Sequence, residues 1–199
     1  VERLADWEAV GEAAWNGLVA RSAFPLPFST WQFQTTWWRH LGEGRLHLFG
    51  VQDAAAEWSG LLPLYETDAG LRLVGGVDVA DYLDLVAVAG HEEAAWKALL
   101  AAMPAEGRGL DLRPVPAASP TVALLPGLAA AAGLGCRVEL DERCPVIDLP
   151  DSWDAYLATL SGKDRHELRR KLRRADGAGA RVEVARTPGG IAAFMDSFL

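Results

Sequence analysis

Residues 163–174 gather seven Lys and Arg side chains and His166 against two acids, Asp164 and Glu167, in a chain whose formal net charge is −8. Guanidinium groups at this density offer paired N–H donors to carboxylates or phosphates, which makes Lys163, Arg165, His166, Arg169 and Arg170 candidate contacts to an anionic substrate. Of these, His166 alone has an ordinary pKa suited to proton transfer near neutral pH. The competing reading is a solvated basic face matched by acids elsewhere in the fold. A second candidate lies at residues 81–84. Tyr82 and Asp84 stand two apart, and on a strand that spacing puts both on one face, where Tyr82 could donate a hydrogen bond and Asp84 could orient an amine or hydroxyl. Its competing reading is a strand end with a half-buried tyrosine.

A helix must carry the basic segment. At 100° per residue, Leu168, Leu172 and Ala175 form a narrow apolar stripe bordered by Asp164, Glu167 and Lys171, and the remaining circumference is almost wholly basic. Ser161 and Asp164 read as a capping box at its start, and Gly177 and Gly179 end it. Upstream, residues 5–20 read as a first helix and Ser29 as the cap of a second, with Trp31, Trp37 and Trp38 at a helical spacing that favours core over sugar stacking. Residues 46–51, 57–66, 71–74, 81–88 and 110–115 read as strands, most of them in an antiparallel meander. Helices are expected over 92–103 and 122–132. The stretch 137–149 reads as strand material, and 153–160 as a helix capped by Asp151 or Ser152. Residues 181–185 read as a further strand, Pro188, Gly189 and Gly190 as a turn, and the rest as a final helix. The fold class is therefore α/β, with a mixed, mostly antiparallel sheet flanked by helices.

Composition narrows the function classes. At 199 residues, 50% hydrophobic and 23% charged, the chain has the make-up of folded globular protein. No apolar run approaches the roughly 20 residues of a membrane helix, and nothing at the N-terminus has the layout of a secretion signal, so no membrane span and a cytoplasmic location are expected. Non-specific nucleic-acid binding is disfavoured, because the chain outside the basic segment is strongly acidic and would repel a long polyanion, and no specific nucleic-acid partner is expected. Cys136 and Cys144 lack metal-ligand spacing and read as buried thiols, and the four histidines are scattered, so no metal is expected. Ile191, Phe194, Met195 and Phe198 repeat at the spacing of a buried helix face, which suggests a fragment of a longer protein cut inside a further unit. No arrangement of Ser, His and Asp or of Cys and His is legible, so the catalytic group stays unknown.

Several blocks in this order carry a resemblance: Pro27 to Trp31 with Trp38, Leu62, Pro63 and Leu64, the 81–84 block, Cys144 to Pro150, Ser152 to Leu157, and Lys163 with Arg165, His166 and Arg170. The chain resembles the CelD-like acetyltransferases associated with cellulose biosynthesis, members of the GNAT superfamily related in architecture to Fem-type aminoacyl transferases. The resemblance implies a GNAT-like sheet and a tandem of two units: residues 1–150 as a degenerate N-terminal GNAT-like domain, and residues 151–199 as linking helices and the first elements of a second, truncated GNAT domain. It further implies acyl transfer from acyl-CoA (acetyl-CoA) to an amine or hydroxyl of a small-molecule or glycan-related acceptor. The CoA site would lie outside this fragment, in the remainder of the second GNAT domain, and Arg165, His166, Arg169 and Arg170 would border the cleft between units. Arg174, Gly177 and Gly179 match the spacing of the GNAT pyrophosphate loop, but they follow a helix where that loop should open one, so the match reads as accidental. Two other readings are a non-catalytic module whose basic helix holds an anionic polymer or partner, and a Fem-type aminoacyl transferase.

Overall fold

In the computed structural model, which describes residues 1–103 and 109–198, Leu61, Leu62 and Leu64 are all fully buried. Successive side chains of a strand point to opposite faces, so strand β3 (Trp58–Thr67) must be covered on both sides. Its neighbours are β1 (Glu2–Leu4), β2 (Leu46–Gln52), β4 (Gly70–Leu73), β5 (Val86–Ala87) and β6 (Leu110–Asp111). The order is β1-β2-β3-β4-β6, with β5 also paired to β3. Every pairing is antiparallel except β4 with β6, which is parallel.

Helices close both faces. On one, Ala95, Trp96 and Leu99 of α3 (Glu92–Ala102) pack with Phe49, Leu62, Leu64 and Leu73, and Leu125 and Leu128 of α4 (Pro120–Ala131) join them. On the other, Trp15, Leu18 and Val19 of α1 (Glu12–Arg21) meet Leu61 and Val86. Helix α2 (Trp31–Leu41) contributes Phe33 to the first cluster and Trp31 to the second. Burying side chains of this size stabilises by about 1.5–3 kcal/mol each. The result is a mixed, mostly antiparallel sheet flanked by helices.

Several expected elements are shorter or shifted, each for a local reason. The first helix does not run from residue 5: Asp6 caps a short 3-10 turn at Trp7–Ala9, Gly11 takes φ +77°, and α1 starts after it. Thr30, not Ser29, caps α2. Within 81–88 only Val86 and Ala87 pair as a strand. Just before them, the Leu83 N–H donates to the Pro114 carbonyl at 2.7 Å and the Leu85 N–H to the Asp84 carboxylate at 2.8 Å, so this backbone is diverted from a ladder. The 110–115 strand contracts to two residues, because Pro114 and Pro116 have no N–H to give.

The chain divides into two compact units, Val1–Glu142 and Arg143–Leu199. The second contains α5 (Trp153–Thr159), α6 (Gly162–Gly177) and α7 (Pro188–Phe198). The strands expected at 137–149 and 181–185 are absent. Val146 is 84% exposed and Val182 95%. Alternating apolar residues become a strand only when a neighbouring strand takes up their backbone groups, and here none does. Cys136 and Cys144, expected to be buried, are exposed for the same reason. Residues 188–190 are the first turn of α7 rather than a separate turn. Pro188 stands where its missing N–H costs nothing, and Thr187 Oγ1 accepts the Gly190 N–H at 3.2 Å.

Candidate functional site

Asp84 lies at the centre of a polar knot joining three elements. Ser119, the cap of α4, accepts the Thr121 N–H at 3.0 Å and donates to Asp84 Oδ2. Thr121 Oγ1 donates to Asp84 Oδ1 at 2.7 Å and accepts the Trp96 indole N–H of α3 at 3.0 Å. Burial raises the Asp84 carboxyl above its ordinary value, and the Ser119, Thr121 and Leu85 hydrogen bonds pull against that shift while Glu92 adds to it. Both carboxylate oxygens are thus engaged from within the unit. Tyr82, partly buried, precedes Asp84 in the same loop, but the pair does not share a strand face as its spacing suggested.

The basic residues fall on α6 as expected. Ser161 Oγ accepts the Asp164 N–H at 3.1 Å and donates back to its carboxylate at 2.7 Å, so the cap is present. Arg170 forks onto Glu167 at 2.8 and 2.6 Å. The same contact holds the Glu167 carboxyl below its ordinary range and raises Arg170. Arg165 turns back to the Leu160 carbonyl at 3.0 Å. Lys163, His166 and Arg169 remain exposed. The helix buries no residue, and Leu172 of its apolar stripe is exposed. Tyr82 and Asp84 belong to one unit and these five basic residues to the other.

A groove of about 310 Å³ in the first unit escaped the sequence reading. Its floor follows from strand register. Tyr65 of β3 pairs with Arg72 of β4, and Arg72 with Asp111 of β6, so the three side chains form a row on one face of the sheet. This is the face of Leu61, whose parity Tyr65 shares, and there the Trp37 ring of α2 lies 5.4 Å from the Tyr65 ring. Asp111 Oδ2 receives Arg72 Nε at 3.0 Å and Arg113 Nη2 at 2.8 Å, while Oδ1 receives Arg113 Nε at 2.8 Å. The Arg113 bond, foremost, holds the Asp111 carboxyl below its ordinary value. Exposed Leu41, Val77 and Val79 form an apolar rim. Gly76 closes the end beside Trp37: it takes φ +64°, and a Cβ there would fall 2.8 Å from the indole Cζ2. Sequence reasoning placed Trp37 in the core, where it is. It had no means of joining Arg72 to Asp111 and Arg113, because only strand register brings Arg72 to Asp111 across 39 residues of chain, whereas Arg113 stands two residues from Asp111.

One histidine is positioned as closely but held shut. Arg3 donates to His47 Nδ1 at 2.8 Å, and a guanidinium only donates, so in the neutral ring the proton sits on Nε2, facing Glu66 at 3.4 Å. With both nitrogens occupied and the side chain buried, His47 works as a strand-to-strand tie.

No family model, curated protein or solved structure matches the chain. Among the described residues, no group of three or more His, Cys, Asp and Glu side chains is placed to hold a metal ion, and no helix is long and apolar enough to cross a membrane.

Proposed function

We propose that this chain is the substrate-side portion of a GNAT-like acyltransferase, which moves an acyl group from acyl-CoA to an amine or hydroxyl of a small-molecule or glycan-related acceptor in the cytoplasm. The observation that carries the proposal is the turn from β5 into α3. A GNAT-like unit binds pyrophosphate where a strand runs through a glycine turn into a helix, with backbone N–H groups and the positive helix end left open. The turn through Gly90 has that layout, and two of its N–H groups are engaged from within. The Ala89 N–H donates to the Arg21 carbonyl at 2.9 Å and the His91 N–H to the Val88 carbonyl at 2.8 Å. Glu92 and Glu93 place two carboxylates in the first turn, where they complement the helix dipole and repel phosphate. The first unit has a mixed, mostly antiparallel sheet flanked by helices, and the acidic start of α3 supports reading this unit as the degenerate half of a tandem. In this reading, cofactor binding belongs to a second unit carrying its own loop, and Lys163, His166 and Arg169 are exposed side chains available to the acceptor or to acyl-CoA. The transfer itself is direct attack of a deprotonated acceptor on the thioester carbonyl, with CoA thiolate leaving.

Calorimetric titration with acetyl-CoA tests this. Residues 1–199 are expected to give no saturable heat, whereas a longer form that includes a complete second unit binds and transfers the acetyl group. Tight acetyl-CoA binding by residues 1–199, abolished by blocking the Gly90 turn, refutes the assignment of a degenerate first unit.

A further inference from the structure

We propose that the groove between α2 and the β3-β4-β6 row binds a small amphiphilic monocarboxylate, with the apolar body along Leu41, Val77 and Val79 and the carboxylate at Arg72 and Arg113. The proposal stands apart from acyl transfer, and the absence of acetyl-CoA binding leaves it untouched.

Three features lead to this ligand class. The first is the rim: Leu41, Val77 and Val79 are 53, 46 and 48% exposed, and all three line one groove whose wall also holds Trp37 and Tyr65. Scattered exposed aliphatics are ordinary surface, but aliphatics converging on a concavity gain by covering an apolar ligand. The second is the guanidinium pair. Arg113 uses Nε and Nη2 and Arg72 uses Nε to hold Asp111, so both forks are oriented in advance while further N–H donors on each remain for an anion. The third is selectivity. Glu43 and Asp78, also in the lining, offset the two guanidiniums, so the groove has no excess positive charge to hold phosphates and other dianions, and a monocarboxylate is held by the directed guanidinium N–H donors rather than by net charge. The volume lies at the low end of small-molecule sites, which run from roughly 300 to 1,000 Å³.

The test is an NMR titration of the folded chain with hexanoate, 1-hexanol, hexylamine and inorganic phosphate. Hexanoate is expected to bind saturably and at least about tenfold more tightly than the alcohol or amine, the margin that charge-assisted bonds to a guanidinium supply. Its shifts should concentrate on residues 76–79 and the Trp37 indole N–H, and phosphate should not displace it. Arg72→Gln should weaken hexanoate by about tenfold or more. Val77→Asp, an exposed rim change that leaves the core intact, should do the same, so loss of folding in the first variant would not shield the proposal. Absence of saturation, equal binding of the alcohol or amine, displacement by phosphate, shifts elsewhere in the chain, or undiminished affinity in Val77→Asp would each overturn it.

Discussion

At the scale of single residues, Asp84 shows how burial and hydrogen bonding compete for one carboxyl. Its three donors stabilise the charged form, yet burial acts more strongly and the folded-state pKa lies above the ordinary 3.8. A carboxyl raised on folding holds its proton more firmly in the native than in the unfolded state. Its contribution to stability is therefore complete below pH 3.8 and declines as the pH rises through the folded-state value. Asp84→Asn keeps the size and removes the titration. Denaturant unfolding across this acid range should show the wild type losing stability relative to the variant as pH increases, and parallel curves would contradict the assignment. Asp111 acts in the opposite sense, since its depressed pKa adds stability that disappears on acidification. Both partners of this carboxylate are partly exposed, so solvent screening keeps the contribution small. Asp84 stood out in the sequence, but its partners Ser119 and Thr121 lie more than thirty residues away, and nothing local announced them.

At the scale of elements, what held was what is set within one or two turns of chain. The periodicity of 92–103 gave α3, the meander strands at 46–51, 57–66 and 71–74 formed close to their expected bounds, and the Ser161 cap of α6 is present. Ser161→Ala should destabilise α6 by about 1 kcal/mol, read as faster amide exchange in its first turn with α3 unchanged. Unchanged exchange there would mean that the cap contributes nothing. Elements needing a distant partner fared worse. Residues 137–149 and 181–185 have strand-like alternation but no ladder, and 81–88 lost most of its strand to side-chain and loop acceptors. The basic helix was legible as a helix, while the pairing of Arg170 with Glu167 followed from their three-residue spacing and lowers the number of unpaired cations it offers.

At the scale of the whole molecule, the two units are joined by chain with no regular structure from Gly135 to Pro150. Arg137, with a side chain 82% exposed, and Arg143 both lie in it. Trypsin should cut first at one of these arginines and release a first unit that resists further digestion, as mass spectrometry of the early products would show. Early cleavage inside 46–102 would instead mean that the sheet and α3 do not form a stable core. The sequence alone determined most of the helices, the Ser161 cap and the concentration of positive charge on α6, because these depend on neighbours within about four residues. Only the tertiary structure decided which strand-like stretches became strands, that both faces of β3 are covered, and that Tyr65, Arg72 and Asp111 meet Trp37 and Arg113 around one groove. Those outcomes rest on register between distant segments, where a one-residue slip would send every side chain to the opposite face.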